Sequence, residues 1–126
     1  MEEAAATASP KGFFKRETKG AVTDPVRVRI ERDRIYFFAQ VLGEESPLFT
    51  NVEAARAAGH PDIATPPSFF MVIEALANED MARRGQRGAL EMVGCNYRYL
   101  LHGDEHYAYD GLIYAGDEVS ISTRVV

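Results

Sequence analysis

The run Phe69-Phe70-Met71-Val72-Ile73-Glu74-Ala75-Leu76 carries apolar side chains on nearly every side of two helical turns. A helix of that kind has to be enclosed by the rest of its chain. Ile63-Ala64-Thr65-Pro66-Pro67-Ser68 leads into it, and polar residues return at Asn78, Glu79, Asp80, Arg83 and Arg84, so the predicted helix emerges into solvent before Gly85. With 126 residues there is room for one domain, which buries roughly two-thirds of the surface its unfolded chain exposes. The enclosing layer must be found within that length.

Strands are the natural candidates. Val26-Arg27-Val28-Arg29-Ile30 alternates apolar and basic residues, the period-two pattern of a strand with one buried face. From residue 89 onward the character is β: an apolar stretch through Met92 and Val93, an aromatic-rich stretch Tyr97 to Tyr109, and alternation at Val119, Ile121, Thr123 and Val125. Gly116-Asp117 reads as the turn before the last strand. Between the first strand and the long helix, Ile35, Phe38, Ala39 and Leu42 fall at helical spacing, with Asp33 as N-cap and Gly43 as stop. The following GEESPLFT reads as a loop, after which Asn51 caps a short helix through Val52 to Ala58 that Gly59 ends. Residues 1–20 read as a flexible lead-in, with Phe13 and Phe14 pinning it to a single domain over 21–126. The order predicts an α+β domain in which an antiparallel sheet wraps around one long helix.

Several function classes fall away. Fourteen basic against 19 acidic residues give a net charge of −5, so nucleic acid and anionic membrane are not expected partners. No Cys/His cluster has metal-ligand spacing, and no cofactor is expected. The single cysteine, Cys95, cannot form an internal disulfide, and it reads as a small buried hydrophobe in a reducing, cytosolic protein. No apolar run of about 18 residues is present to span a bilayer.

The stretch Phe38-Ala39-Gln40-Val41-Leu42-Gly43-Glu44-Glu45-Ser46-Pro47-Leu48-Phe49, followed by Ala54-Ala55 and Gly59, is similar to the hydratase signature of the MaoC-like family, Gly-Asp-x-Asn-Pro, an aliphatic residue, then His. Ile63-Ala64-Thr65-Pro66-Pro67, Leu101-His102-Gly103 and Leu112-Ile113-Tyr114-Ala115-Gly116-Asp117 follow in the family's order. The resemblance covers about residues 20 to 126 and is nearest to the N-terminal, non-catalytic type of MaoC domain. It implies a hot-dog fold, in which a curved antiparallel sheet wraps a long helix. It also implies pairing of sheets in dimers, and for active members the reversible hydration of enoyl thioesters of coenzyme A or acyl carrier protein.

Hydration of an enoyl thioester needs groups that activate water and move a proton, and donors that stabilise the enolate-like oxygen. Aligned on Gly43, Pro47 and Leu48, the family's Asp position holds Glu44 and its His position holds Phe49. The extra methylene of Glu displaces a carboxyl by about 1 Å, and Phe has no proton to exchange. Where active members offer a backbone N–H at the start of the central helix, this chain has Pro66 and Pro67, which have none to give. Phe69 and Phe70 read as core residues, although in this fold one face of that helix approaches the acyl channel. His102 could reach a substrate, but a loop histidine is more often solvated or hydrogen-bonded. His60 and His106 are assigned no role, Glu45 reads as solvated, and Asp117 as a turn residue.

The leading expectation is a non-catalytic, acyl-binding subunit or half of an enoyl-thioester hydratase or 3-hydroxyacyl-thioester dehydratase. Its partner would be a second copy or a catalytic MaoC-like subunit, and its ligand an acyl-CoA or acyl-carrier-protein thioester. The alternatives are an active (R)-specific hydratase using Glu44, with His102 as substitute, and a purely acyl-binding or oligomerising module. MaoC-like domains continue for two more strands beyond the point equivalent to Val126, so the sheet is expected to lack its last strands.

Overall fold

The structure, a computed structural model, describes residues 14–126. Residues 1–13, including Phe13 of the expected lead-in, lie outside the described residues. Phe14 is exposed, and a single 3-10 turn follows at Arg16–Thr18. The chain divides into two compact units. One comprises Arg27–Ala77 and Tyr107–Ile121, and the other takes its described residues from 14–26, Asn78–His106 and Ser122–Val126.

The alternating segment forms strand β1 (Val26–Arg29), all but its first residue in the first unit, with Arg27 and Arg29 exposed and Val28 and Ile30 buried. It pairs with β2 (Glu118–Ile121). The Ile30 N–H donates to the Asp117 carbonyl at 2.8 Å, and the Gly116 N–H to the Ile30 carbonyl at 2.8 Å. A second pairing sets Ala64 opposite Tyr114, antiparallel, with Thr65 N–H to Ile113 O at 2.8 Å and Ala115 N–H to Ile63 O at 3.0 Å. Residues 113–117 are thereby held by 63–65 and by Ile30. Gly116, at φ 89°, makes the expected turn, and an Asp117 carboxylate oxygen accepts from the Tyr114 N–H at 2.8 Å.

Helix α1 (Arg32–Leu42) buries Ile35 and Ala39 and stops at Gly43, whose φ of 71° is the left-handed conformation that a glycine adopts without a Cβ penalty. Asp33 is not its cap. The N-cap position belongs to Glu31, which makes no side-chain capping bond, and Asp33 sits in the first turn, where a carboxylate still favours the helix dipole. The segment GEESPLFT is not wholly a loop, because Pro47–Thr50 forms a one-turn helix, α2, with proline at its first position. Asn51 caps α3 (Val52–Ala57) as expected, its side chain accepting from the Ala54 N–H at 3.0 Å.

A 3-10 turn at Pro67–Phe69 opens α4 (Phe70–Arg83). The expected burial on every side does not occur. Phe69, Ile73, Ala77 and Met81 are buried at a spacing of four, whereas Phe70 is 40% and Met71 50% exposed. A sheet with two short named strands has too little surface to enclose a helix all round.

In the second unit, Val22 lies opposite Arg124, antiparallel. Thr23 and Thr123 bond twice, N–H to carbonyl and N–H to Oγ1, each at 2.9 Å. The alternation predicted over 119–125 is present, with Ile121 buried and Val119, Thr123 and Val125 half-buried between exposed neighbours. Continuous β character from residue 89 is not. Ala89–Met92 forms a short helix, α5, Tyr97–Tyr99 is a 3-10 turn capped by Asn96, and the rest of the aromatic stretch to Tyr109 has no regular structure. Cys95 is half-buried and not enclosed.

Candidate functional site

The signature residues sit on the α1–α2 connection, on α2 and just before α4, all in the unit Arg27–Ala77 with Tyr107–Ile121. Gly43 turns the chain out of α1, and Glu44 follows with its N–H bonded to the Ala39 carbonyl at 2.8 Å. The Glu44 carboxylate folds back on its own chain, Oε1 accepting from the Ser46 N–H at 3.0 Å. Phe49, half-buried on α2, is anchored through its backbone, its N–H donating to the Ser46 carbonyl at 3.0 Å. The Ala64 N–H donates to the Leu48 carbonyl at 2.9 Å, which ties α2 to the segment that delivers Pro66 and Pro67.

Pro66 is buried, with φ −59° and ψ 153°, and its carbonyl accepts from the Phe69 N–H at 2.9 Å. Pro67 is exposed at the first position of the 3-10 turn, and its carbonyl accepts from the Tyr109 hydroxyl. Neither residue has a backbone N–H to donate, and both carbonyls act as acceptors. Phe69 is fully buried and meets Phe38 edge to face at 5.4 Å between ring centres. Phe70 meets Tyr107 at 6.0 Å, and Tyr107 stacks on Tyr109 at 6.0 Å, making an aromatic row beside the helix start. His102 belongs to the other unit. It is exposed, and its Nε2 lies 3.4 Å from Glu105 Oε1. His106 is also exposed.

Two side-chain arrangements were not visible in the sequence. Asp62, 7% exposed, receives Arg32 through both carboxylate oxygens, Nε to Oδ1 at 3.1 Å and Nη2 to Oδ2 at 2.5 Å. Arg56 Nη2 lies 3.5 Å from Oδ2, and the Ile63 N–H donates to Oδ1 at 2.8 Å. The hydrogen bond from Arg32 holds the Asp62 carboxyl below its ordinary range, against the upward push of burial, with help from the Ile63 N–H and the charges of Arg32 and Arg56. His60 has a partner after all, its Nδ1 lying 2.9 Å from the Tyr114 hydroxyl, 54 residues away. Only Asp62, immediately before the motif Ile63-Ala64-Thr65-Pro66-Pro67, carried a positional hint. Among the described residues no group of His, Cys, Asp and Glu is placed to hold a metal ion, and no helix is long and apolar enough to cross a membrane.

The stretch thus holds the Glu44 carboxylate bonded to backbone, the half-buried Phe49 ring on α2, and two prolines just before α4. Comparison with known proteins finds relatives over most of the chain. A UPF0336 protein of Streptomyces coelicolor is 31% identical over 96 residues, covering 76% of this chain and 60% of its own length. A UPF0336 protein of Parafrankia is 35% identical over 103 residues, covering 82% and 64%. The chain therefore spans about three-fifths of the length of the curated relatives it matches. Among solved structures, the C-terminally truncated HadBC (3R-hydroxyacyl-ACP dehydratase) complex of Mycobacterium tuberculosis superposes with a TM-score of 0.63 at 18% identity, covering 83% of this chain and 69% of that one, which shows the hot-dog fold. The model of the FAS1-like dehydratase domain region matches residues 17–126, and the chain accordingly belongs to that family, whose MaoC-like hot-dog fold it shares.

Proposed function

We propose that this chain is a non-catalytic, acyl-binding hot-dog subunit of a cytosolic enoyl-thioester hydratase or 3-hydroxyacyl-thioester dehydratase, paired with a second MaoC-like subunit that supplies the reactive Asp and His. The observation that carries this reading is Phe49. A phenyl ring can take no proton from water and give none to carbon, so water activation has to come from elsewhere.

Two further features support it. Glu44 spends its carboxylate on the Ser46 N–H, which favours a role in shaping the α1–α2 connection. Pro66 and Pro67 remove the backbone donors that would stabilise an enolate oxygen at the start of α4. The HadBC likeness adds that this fold occurs in a dehydratase complex. In the proposed assembly the exposed Phe70 and the Tyr107–Tyr109 row form the wall against which an acyl chain lies, with Phe69 packed behind them in the core.

The test is recovery of the tagged chain from its native host, identification of co-purifying subunits, and hydration of crotonyl-CoA by the chain alone and by the recovered complex. The expected result is turnover by the complex and none by the chain. Hydration by the isolated chain that is abolished in Glu44→Gln would overturn the reading in favour of an active hydratase. Recovery only as a homo-oligomer without activity would overturn it in favour of a binding module.

A further inference from the structure

The second unit contains a cavity of about 430 Å³, within the ~300–1,000 Å³ range of small-molecule sites. Leu90, Val93, Leu100 and Val125 give it an apolar lining. Lys15, Arg16 and Lys19 line it as well, and among the described residues no acidic one does. In a chain of net charge −5 this is a local reversal of sign. Arg16 and Lys19 are exposed, so positive charge lies where the cavity meets solvent. None of the three cations forms an ion pair among the described residues.

The backbone of the lining narrows the choice of occupant. Val125 already exchanges hydrogen bonds with Gly20 and Ala21, the Lys15 N–H donates to the Val93 carbonyl, and the Cys95 N–H to the Leu90 carbonyl. A peptide strand would need such groups free. A ligand with no hydrogen-bonding demand along its length and one anionic end would not. We propose that this cavity binds a long-chain carboxylate, its alkyl chain among Leu90, Val93, Leu100 and Val125 and its carboxylate facing Lys15, Arg16 and Lys19. None of Glu44, Phe49, Pro66 and Pro67 lines the cavity, so the inference goes beyond the proposed function and does not depend on it.

The test is fluorescence titration of the 126-residue chain with dansyl-undecanoic acid, then displacement by dodecanoate and by dodecanol. Saturable one-to-one binding is expected, with dodecanoate displacing the probe at about tenfold lower concentration than dodecanol, because the cations act on the head group alone. Val93→Trp fills the cavity and should abolish binding. The Lys15→Glu, Lys19→Glu pair, at one half-buried and one exposed position, is expected to keep the wild-type circular dichroism spectrum and to remove the preference for dodecanoate while dodecanol still competes. Absence of saturable binding, equal displacement by the two competitors, or an unchanged preference in the charge-reversed variant would overturn the proposal. The charge-reversed variant decides the matter even where Val93→Trp fails to fold. No catalytic partner enters the assay, so its failure is separate from failure of the hydration test.

Discussion

Arg32 grips Asp62 with two parallel hydrogen bonds, Nε to Oδ1 and Nη2 to Oδ2, and so fastens the first residue of α1 to the turn that precedes Ile63. Asp62 is buried whereas the Arg32 side chain is 45% exposed, and the two ends of the pair are therefore not equivalent. Removing the arginine leaves a carboxylate in a poorly solvated place. Removing the carboxylate leaves two arginines that can turn to water.

The first expected outcome follows from that asymmetry. Arg32→Met should destabilise the fold by about 2–3 kcal/mol, and Asp62→Asn by about 1–2 kcal/mol, since Asn keeps an acceptor for the Ile63 N–H. Urea denaturation of both variants, followed by circular dichroism, measures the difference. Equal losses would show that the burial of Asp62 carries no weight.

The pH dependence has a definite sign. The folded carboxyl of Asp62 is held below its unfolded value of 3.8, chiefly by the Arg32 hydrogen bond, so its contribution is complete above that value and is lost as pH falls through the folded one. Wild-type stability should decline more steeply below about pH 4 than that of Asp62→Asn. Urea midpoints for both proteins across the acid range check this, and parallel curves would contradict it.

Asn51 accepts from the Ala54 N–H at the start of α3. Asn51→Ala should cost about 1 kcal/mol, and Asn51→Asp should cost little or nothing because a carboxylate caps equally well. Thermal denaturation of the pair distinguishes a cap from a general polar requirement at this position.

Restoring an imidazole at the signature should not restore chemistry. Phe49→His alone is expected to leave crotonyl-CoA hydration at background, because the Glu44 carboxylate is bonded to the Ser46 N–H and the helix start offers proline carbonyls in place of donors. An absorbance assay on the folded variant checks it. Turnover well above background would mean that one substitution separates this chain from a working hydratase.

The features legible in the sequence are those set by neighbours in the chain. Valines and arginines alternate in β1 whatever they pair with, Asn51 reaches an N–H three residues on, and Gly43 and Gly116 take positive φ where a turn demands it. The motif around Gly43, Pro47 and Pro66 was readable in the same way. The misses have two physical sources. Ser46-Pro47 was a helix start hidden in a segment that looked like turn chemistry, and Asp33 was one of two acidic residues close to the N-terminus of α1. Elsewhere the outcome depended on distant partners. Apolar and aromatic residues from 89 to 109 suit strands only where another strand lies alongside, and Phe70 and Met71 are buried only where something covers them. The ion pair of Arg32 and Asp62 spans 30 residues and the His60–Tyr114 bond spans 54, so neither leaves a local pattern.

The pairing of β1 with β2 brings together residues as far apart as Arg27 and Glu118, 91 positions along the chain. During synthesis β1 leaves the ribosome long before its neighbour exists, and closing so large a loop carries an entropic cost that local contacts cannot offset. Strand pairing should therefore be a late and slow step of folding. Until then Arg27 and Arg29 interrupt the apolar run with positive charge, acting as gatekeepers against aggregation of a strand that must wait for its partner.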